Sequence, residues 1–150
     1  MITIRVYGIP GPQGSKRFVG MRGGRGVMVE SSQKVKPWRE AVKWAAREAM
    51  AGRAPLDGPL WVGMVFTVAK PKSAPKRKRT WPATKPDLSK LARSTEDALT
   101  DAGVWTDDAR LVEYVRLAKV YPGEDSGALH IPGAVISIYT EADMASGRSL

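Results

Sequence analysis

The sequence contains no cysteine and a single histidine, His130. Disulfides, thiolate zinc sites and cysteine nucleophiles are therefore excluded, and so is a metal site built mainly from histidine. Any metal ion bound by this chain is expected to have mostly oxygen ligands. His130 stands between apolar neighbours just before Ile131 and Pro132, which favours a structural or exposed position over a catalytic one.

A long apolar run is also missing. A membrane-spanning helix needs roughly 18 or more apolar residues, and the apolar stretch from Leu60 to Ala69 has only the length of a strand. The first residues alternate apolar and polar side chains and lack the apolar core of an export signal. We therefore expect no membrane partner and a cytoplasmic protein. With 150 residues, 43% of them hydrophobic, the chain suits one domain.

Acidic residues are scarce in the first half of the chain. Residues 1–86 carry a net charge of +14 and residues 87–150 a net charge of −5, which together give +9. A strongly basic region favours a polyanionic partner through counterion release, and nucleic acid is the leading candidate. Between Asp87 and Asp108, however, six carboxylates accompany only Lys90 and Arg93. A bound cation would relieve the repulsion in that acidic segment.

Alternating and β-rich segments predict the strands. Residues 2–8 form a half-buried strand, and residues 18–21 and 26–30 form a hairpin around Arg22-Gly-Gly-Arg25. Residues 60–69 predict a central strand, and residues 111–121 and 134–139 predict two more.

Helical spacing predicts two main helices. Ser31 and Ser32 precede the first, whose apolar positions are Trp38, Val42, Ala45 and Ala49. On another face of this helix, Arg39, Lys43 and Arg47 either follow a phosphate backbone or simply face solvent. The second helix covers residues 88–102, with Asp87 or Ser89 as a cap and Gly103 as a stop signal.

The resulting order βββαβαββ predicts an α+β fold with a mixed β-sheet and two main helices. We expect a single domain over residues 1–140. Residues 70–86 hold four prolines and seven Lys or Arg without an acid, which predicts a mobile basic loop. Residues 141–150 are expected to form a flexible C-terminal tail.

Aspartates near both ends of the second helix are the candidate metal ligands. Asp87 stands just before this helix, and Asp107 and Asp108 follow it after a short link. Clustered carboxylates that hold divalent ions are a common means of phosphodiester hydrolysis, and Mg²⁺ prefers such hard oxygen ligands. Spacing alone leaves another interpretation open, because an Asp before a helix is often a cap and an Asp-Asp pair is often a solvated turn.

Three motifs stand in this region, which are Lys85-Pro-Asp-Leu-Ser-Lys-Leu91, Asp97-Ala-Leu99 and Gly103-Val-Trp-Thr-Asp-Asp108. Together they resemble the RusA family of Holliday-junction resolvases. The family pattern is Lys-Pro-Asp-x-Asp-Asn-Leu, then Asp-Ala-Leu, then Asp-Asp, in the same order and spacing. The loop from Pro10 to Lys16 resembles the family's basic Pro/Gly loop, and Lys36-Pro-Trp-Arg39 resembles a helix start in its phage-type members. The likeness covers most of residues 2–140.

The resemblance implies an intertwined homodimer that resolves four-way, branched DNA junctions with Mg²⁺, or with Mn²⁺ in its place. No small-molecule cofactor is expected. A phage or prophage origin in a bacterial host also follows from this resemblance.

The resemblance also assigns site residues. It makes Asp87, Asp107 and Asp108 catalytic metal ligands, and Arg93 stands where the family has an essential lysine. Ser89 replaces a family aspartate, and Glu96, on the same helix face, is a possible substitute ligand. The expected DNA-binding residues are Lys16, Arg17, Lys76, Arg77, Lys78, Arg79, Lys85 and Lys90.

Two alternative functions remain open from the sequence. The loss of a carboxylate at Ser89 favours a catalytically weakened protein that binds branched DNA as a recombination accessory. A flap or fork nuclease would use the same residues on DNA of a different shape. Trp38, Trp44, Trp61 and Trp105 are expected to serve packing. Trp81, in the basic loop, is expected either to stack on an unpaired base or to anchor the loop.

Overall fold

The computed structural model describes residues 1–14, 16–22, 25–30 and 33–147, with residues 16–22 and 25–30 described at the level of the main chain. The expected Gly23-Gly24 hairpin tip and the two serines expected before the first helix, Ser31 and Ser32, lie outside the described residues.

The elements follow the order that the sequence predicts, with two short additions. The strands are β1 (Ile2–Tyr7), β2 (Lys16–Arg22), β3 (Arg25–Glu30), β4 (Leu60–Thr67), β5 (Leu111–Val120) and β6 (Gly133–Thr140). The helices are α1 (Val35–Met50), α2 (Leu88–Asp101) and α3 (Glu141–Ala145), and a single 3₁₀ turn covers Asp108–Arg110. The predicted α+β class is confirmed.

Four strands form one mixed sheet in the order β1-β6-β4-β5. β4 pairs in parallel with β5 and antiparallel with β6, and β6 pairs antiparallel with β1. β4 lies inside the sheet and nearly all of its side chains are buried, as expected for a strand covered on both faces. β2 and β3 pair with each other in a separate two-stranded sheet.

The two long helices pack together over the sheet. α1 buries residues at helical spacing, Val35, Trp38, Val42, Ala46 and Met50. The ring of Trp38 lies 6.3 Å from that of Phe66 in β4. Its buried indole Nε1 donates a hydrogen bond of 3.1 Å to Thr95 Oγ1 of α2. This bond satisfies two buried polar groups and fixes the position of α2 relative to α1.

Two expectations differ from the structure. The tail that was expected to be flexible from residue 141 begins with α3, because Thr140 and Asp143 form a capping box and the N-terminal ammonium lies 3.0 Å from Asp143. Trp44, which was expected to pack, is 69% exposed. It follows the buried Val42 by two residues, so it points to the opposite face of α1.

None of the helices in the described part of the chain is long and apolar enough to cross a membrane.

Candidate active site

Helix α2 presents one face to the core and another to a cleft. Its buried residues are Leu91, Ala92, Ser94, Thr95, Ala98 and Leu99. Ser94 Oγ donates a hydrogen bond of 2.6 Å to the carbonyl of Gly11. The main-chain amide of Gln13 donates a hydrogen bond of 2.9 Å to the main-chain carbonyl of Lys90. These bonds hold the loop after β1 against the first half of α2, so this loop forms one wall of the cleft.

The segment after α2 returns the chain to the sheet at a fixed place. The amide of Val104 donates to Leu99 at 3.1 Å, and the buried indole of Trp105 donates to Thr100 Oγ1 at 2.7 Å. The amide of Thr106 in turn donates to Leu56 at 3.1 Å. These contacts close the end of α2 against the loop before β4 and bring the following Asp-Asp pair beside α2.

A cleft of about 600 Å³ lies between α2, the 3₁₀ turn and β5. We call it the acidic cleft. Its lining residues come from five parts of the chain: Gln13, Arg39, Ser89, Arg93, Glu96, Asp97, Asp108 and Tyr114. Of the candidate catalytic residues, it brings Asp108 and Arg93 together with Ser89 and Glu96.

Three carboxylates influence one another across this cleft. Burial raises the pKa of Glu96, and the negative charges of Asp108 and Asp97 raise it further. The Tyr114 hydroxyl opposes this shift because it donates a short hydrogen bond to Glu96 Oε2. Burial and the charge of Glu96 in turn raise the pKa of Tyr114, so this phenol stays protonated as a donor. Mutual repulsion of this kind is relieved by a cation.

Asp107 and Asp108 have different roles although they are adjacent. Asp107 caps the 3₁₀ turn, accepting a hydrogen bond of 2.8 Å from the Ala109 amide, and this bond holds its pKa below the ordinary value. The hydrogen bond between the two carboxyl groups, together with burial, raises the pKa of Asp108. Asp107 is thus an anchored anion, and Asp108 is the member of the pair that lines the cleft.

Asp87 lies at the start of α2 and lines a second cavity of about 610 Å³. It occupies the N-cap position in an extended conformation, and its carboxylate, 52% exposed, lies 3.6 Å from Lys90 Nζ. Lys85 and Lys90 line the same cavity, and Gln13 lines both cavities, so the two adjoin. The structure therefore places Asp87 next to the acidic cleft, outside its lining.

The donors in the acidic cleft suit a hard divalent cation, because carboxylate and hydroxyl oxygens are the ligands that Mg²⁺ and Mn²⁺ accept. Within the described ranges, however, no group of three or more His, Asp or Glu side chains is close enough together to hold a metal ion. The chemistry of the donor set fits such an ion, but Asp87, Asp107 and Asp108 do not form a compact three-ligand cluster.

The basic loop over residues 70–86 has turns and bends in place of regular structure, and Lys76, Arg77, Lys78 and Arg79 are all exposed. Two of its residues, Lys70 at the start and Thr80 further along, are tied to the turn between β5 and β6. Lys70 Nζ lies 2.7 Å from Glu124 Oε2, and the Thr80 amide donates to Glu124 Oε1 at 3.0 Å. The acidic turn therefore holds the loop on both sides of residues 76–79, which face solvent.

Arg79 differs from the other three cations at this tip. Its guanidinium lies 3.3 Å from Asp125 and 5.1 Å from the ring centre of Trp81, which is 66% exposed. Arg116 also donates two hydrogen bonds, of 2.9 and 2.8 Å, to Asp125 and holds the pKa of that carboxyl far below its usual range. Asp125 is therefore ionised at neutral pH and is a fixed partner for Arg79.

The sequence analysis did not assign four of the cleft residues to the site, which are Gln13, Arg39, Asp97 and Tyr114. Arg39 was noticed only as part of a basic row on α1, and it pairs with Asp101 at 2.7 Å. Lys43, in the same row, lies 3.4 Å from Glu40, so two of the row's three cations have acidic partners. The alternation of β5 was the available signal for Tyr114, since it places this residue on one face of an edge strand.

Lys16 and Arg17, which were expected to bind DNA, stand at the start of β2. Their side chains lie outside the described part of the structure.

Comparison with known proteins gives a family match over most of the chain. The model of the family described as Endodeoxyribonuclease RusA matches residues 8–131. This range includes the residues of α2 that line the two cavities, the pair Asp107 and Asp108, and the basic loop. None of the curated proteins matches the chain.

Proposed function

Because the chain belongs to the RusA family of endodeoxyribonucleases, we propose that it is a divalent-metal-dependent nuclease that resolves four-way DNA junctions by paired nicks. The observation that carries this proposal is the acidic cleft. In a chain of net charge +9, Glu96, Asp97 and Asp108 gather in one cleft with Arg93. Such a concentration of negative charge opposes DNA binding unless a cation neutralises it.

We propose that Asp108 is the principal ligand for Mg²⁺ or Mn²⁺, with Glu96 contributing from α2. Asp87 acts on the same ion from the adjoining cavity through a bridging water molecule. When bound, the ion polarises the phosphate and activates a water molecule for attack. Asp107 acts mainly through its cap, which fixes the adjacent Asp108, and its own negative charge adds to the field. Ser89 supplies a neutral oxygen where the family pattern has a carboxylate.

Arg93 is proposed to contact the phosphate of the substrate, and Tyr114 to hold Glu96 in the cleft. The guanidinium of Arg93 is exposed on the helix face that carries Glu96, where it stabilises the negative charge that develops on the phosphate. A guanidinium stabilises negative charge and does not act as a general base. Tyr114 holds the carboxylate of Glu96 in place through its hydroxyl. The contact from Tyr114 fixes Glu96, and the exposed side chain of Arg93 can reach the DNA.

DNA binding is proposed to rest on the cations around the two cavities. Lys76, Arg77 and Lys78 extend into solvent from the basic loop, and Lys85 and Lys90 line the cavity that contains Asp87. Lys16, Arg17 and Arg79, the last of which is paired with Asp125, complete the set proposed from the sequence. Contacts of this kind position the DNA backbone without reading its sequence, which suits a nuclease that selects DNA by its shape.

A homodimer follows from the reaction. A four-way junction has approximate two-fold symmetry, and resolution requires two opposed nicks, so a closed two-fold dimer provides one site for each strand. Branched DNA in a bacterium lies in the cytoplasm, and the proposal places the protein there.

The Ser89 hydroxyl in the acidic cleft favours a second candidate, a protein that binds branched DNA and has lost hydrolysis. Removing one carboxylate lowers the affinity of an oxygen-ligand site for a divalent ion. The two candidates share their DNA-binding surface and differ only in turnover.

A nicking assay separates these candidates. Labelled junction, fork, flap and duplex DNA are incubated with the protein in Mg²⁺, in Mn²⁺ and in EDTA. We expect paired nicks in the junction with either metal ion and intact DNA in EDTA. Asp108→Asn should lower the rate by about 100-fold or more, the size typical of lost electrostatic stabilisation, and Glu96→Gln should also slow cutting.

Glu48→Gln is the matched control, since Glu48 is an exposed carboxylate on α1 away from the cleft. It should cut at the wild-type rate. Wild-type cutting by Asp108→Asn would refute the assignment of the cleft. Tight junction binding without cutting in either metal ion would favour the accessory protein.

A further inference from the structure

Lys119, on the edge strand β5, ties the segment before α2 to the sheet. Its ammonium donates hydrogen bonds to the main-chain carbonyls of Thr84 at 2.7 Å and Pro86 at 2.8 Å. These two carbonyls belong to the residues on either side of Lys85, and that of Pro86 immediately precedes Asp87. The side chain of Lys119 therefore binds the main chain on both sides of Lys85, in the segment that leads to the candidate catalytic residue Asp87.

The anchor point is rigid. Lys119 is paired with Phe66 of β4 in the parallel ladder of the central sheet, and Phe66 is fully buried. The segment that it holds has no regular secondary structure. Its direction depends on its attachments at either end, and Lys119 links it directly to the sheet.

The burial of Lys119 has to be offset by its contacts. Burial lowers the pKa of Lys119, and the nearby charge of Asp87 acts in the opposite direction. A partly buried ammonium is costly unless it is hydrogen-bonded, and charge-assisted bonds to carbonyls are among the stronger ones. The geometry thus brings Lys119, the segment 84–86 and Asp87 into one connected unit.

We propose that Lys119 is a positioning residue, which holds the segment 84–86 so that Asp87 is directed toward the scissile phosphate. It acts through main-chain carbonyls and does not touch the reacting atoms. This inference rests on the proposed function for the role of Asp87. A small displacement of a catalytic group costs a large factor in rate, so removal of the anchor should affect turnover more than DNA binding.

The test compares Lys119→Met, Lys119→Arg and the control Lys36→Met, which removes one exposed positive charge from α1. Junction binding is measured in EDTA, and nicking is measured at saturating DNA across a range of Mg²⁺ concentrations. Lys119→Met should bind the junction nearly as the wild type does and lose about tenfold or more in kcat. Lys119→Arg, which keeps several donors, should recover part of that loss. Lys36→Met should match the wild type in turnover.

Amide hydrogen exchange provides a readout that needs neither metal nor cutting. Amides in residues 83–90 should exchange faster in Lys119→Met than in the wild type, while those of β4 and α1 keep their protection. This local pattern distinguishes a released segment from general unfolding, and Lys119→Arg should restore it in part.

The inference is overturned if exchange over residues 83–90 is unchanged, or if the loss in Lys119→Met is confined to DNA affinity. A wild-type protein that cuts no substrate would instead refute the proposed function. Faster exchange in Lys119→Met would then still support the link between Lys119 and the segment.

Discussion

At the scale of single residues, the negative charge of the cleft depends on a neutral serine at residue 89 and a carboxylate at Glu96. Both lie on α2 and line the acidic cleft with Asp97 and Asp108. A carboxylate at residue 89 would add a fourth acid to a cleft whose existing acids already raise the pKa of Glu96. Serine therefore reduces repulsion in the metal-free protein, and the same change removes a ligand for a metal ion.

This balance predicts opposite effects of Ser89→Asp without and with a divalent ion. Without the ion, repulsion from the cleft acids should outweigh the favourable interaction of the added carboxylate with the N-terminus of α2, and destabilise the protein by at most about 1 kcal/mol, or roughly 2 to 4 °C in Tm. With Mg²⁺ the difference should shrink or reverse, and nicking should become faster. Thermal unfolding in EDTA and in Mg²⁺ measures the first effect, and the junction assay measures the second.

Ser89→Asn is the control for size and polarity, because it adds an amide of the same shape without charge. It should show neither the metal-dependent shift in Tm nor faster nicking. Equal Tm shifts for the Asp and Asn variants in both solutions would show that residue 89 does not face a metal ion.

At the scale of elements, the basic loop combines anchored and free cations. Lys70 and Arg79 have partners in Glu124 and Asp125, whereas Lys76, Arg77 and Lys78 face solvent at the tip. An arginine that already neutralises a carboxylate of the protein releases fewer DNA counterions than a free one. The side chain of Asp125 is only 10% exposed and that of Arg79 is 48% exposed, so salt screens their pairing only in part.

The salt dependence of junction binding should reflect this difference. Replacing Lys76, Arg77 and Lys78 together by Gln should reduce the slope of log K against log salt by about 0.9 for each phosphate that the variant no longer neutralises. Arg79→Gln should change the slope less per residue, since Arg79 is paired with Asp125. Fluorescence anisotropy on labelled junction DNA over a salt series provides the measurement. A larger change per residue for Arg79→Gln than for the triple variant would contradict the anchoring role.

The helices and strands also show which elements can be predicted from sequence patterns. The alternation in residues 2–8 and the apolar spacing around Trp38 and Leu91 predicted β1, α1 and α2, because amphipathic periods are local properties. The short helix α3 was missed, since its capping box and its contact with the N-terminus stabilise only five residues. Helices of this length have no clear periodic signal.

The candidate site was predictable where its residues share a face of α2 or, like Asp108, follow that helix closely in sequence. Ser89, Arg93 and Glu96 follow from the period of α2. Tyr114 and Arg39 reach the cleft from β5 and α1, and their approach depends on packing between elements distant in sequence. The rise of α2 also separates its two ends, since nine residues from Asp87 to Glu96 correspond to about 13 Å. That distance explains why Asp87 lines an adjoining cavity.

At the scale of the whole molecule, two nicks in a single binding event require two active sites on one junction. The described residues of each chain form one acidic cleft, so two opposed nicks on a two-fold substrate call for two copies. A monomer could nick one strand, release the DNA and nick the other later. A dimer makes both cuts in one binding event, so the number of active subunits becomes measurable in the products.

Mixed dimers should therefore give single nicks. Wild-type chains and Asp108→Asn chains carrying different affinity tags are refolded together, and the doubly tagged species is purified and tested on a supercoiled plasmid with an extruded cruciform. One active cleft should nick the junction once and give open-circular plasmid, whereas the wild-type dimer cuts both strands and gives linear product. Sedimentation of the wild-type protein should give twice the 16.3 kDa chain mass. Linear product from purified mixed dimers at the wild-type rate, or a wild-type protein that sediments and cuts as a monomer, would contradict paired cutting, because a single cleft would then suffice for both strands.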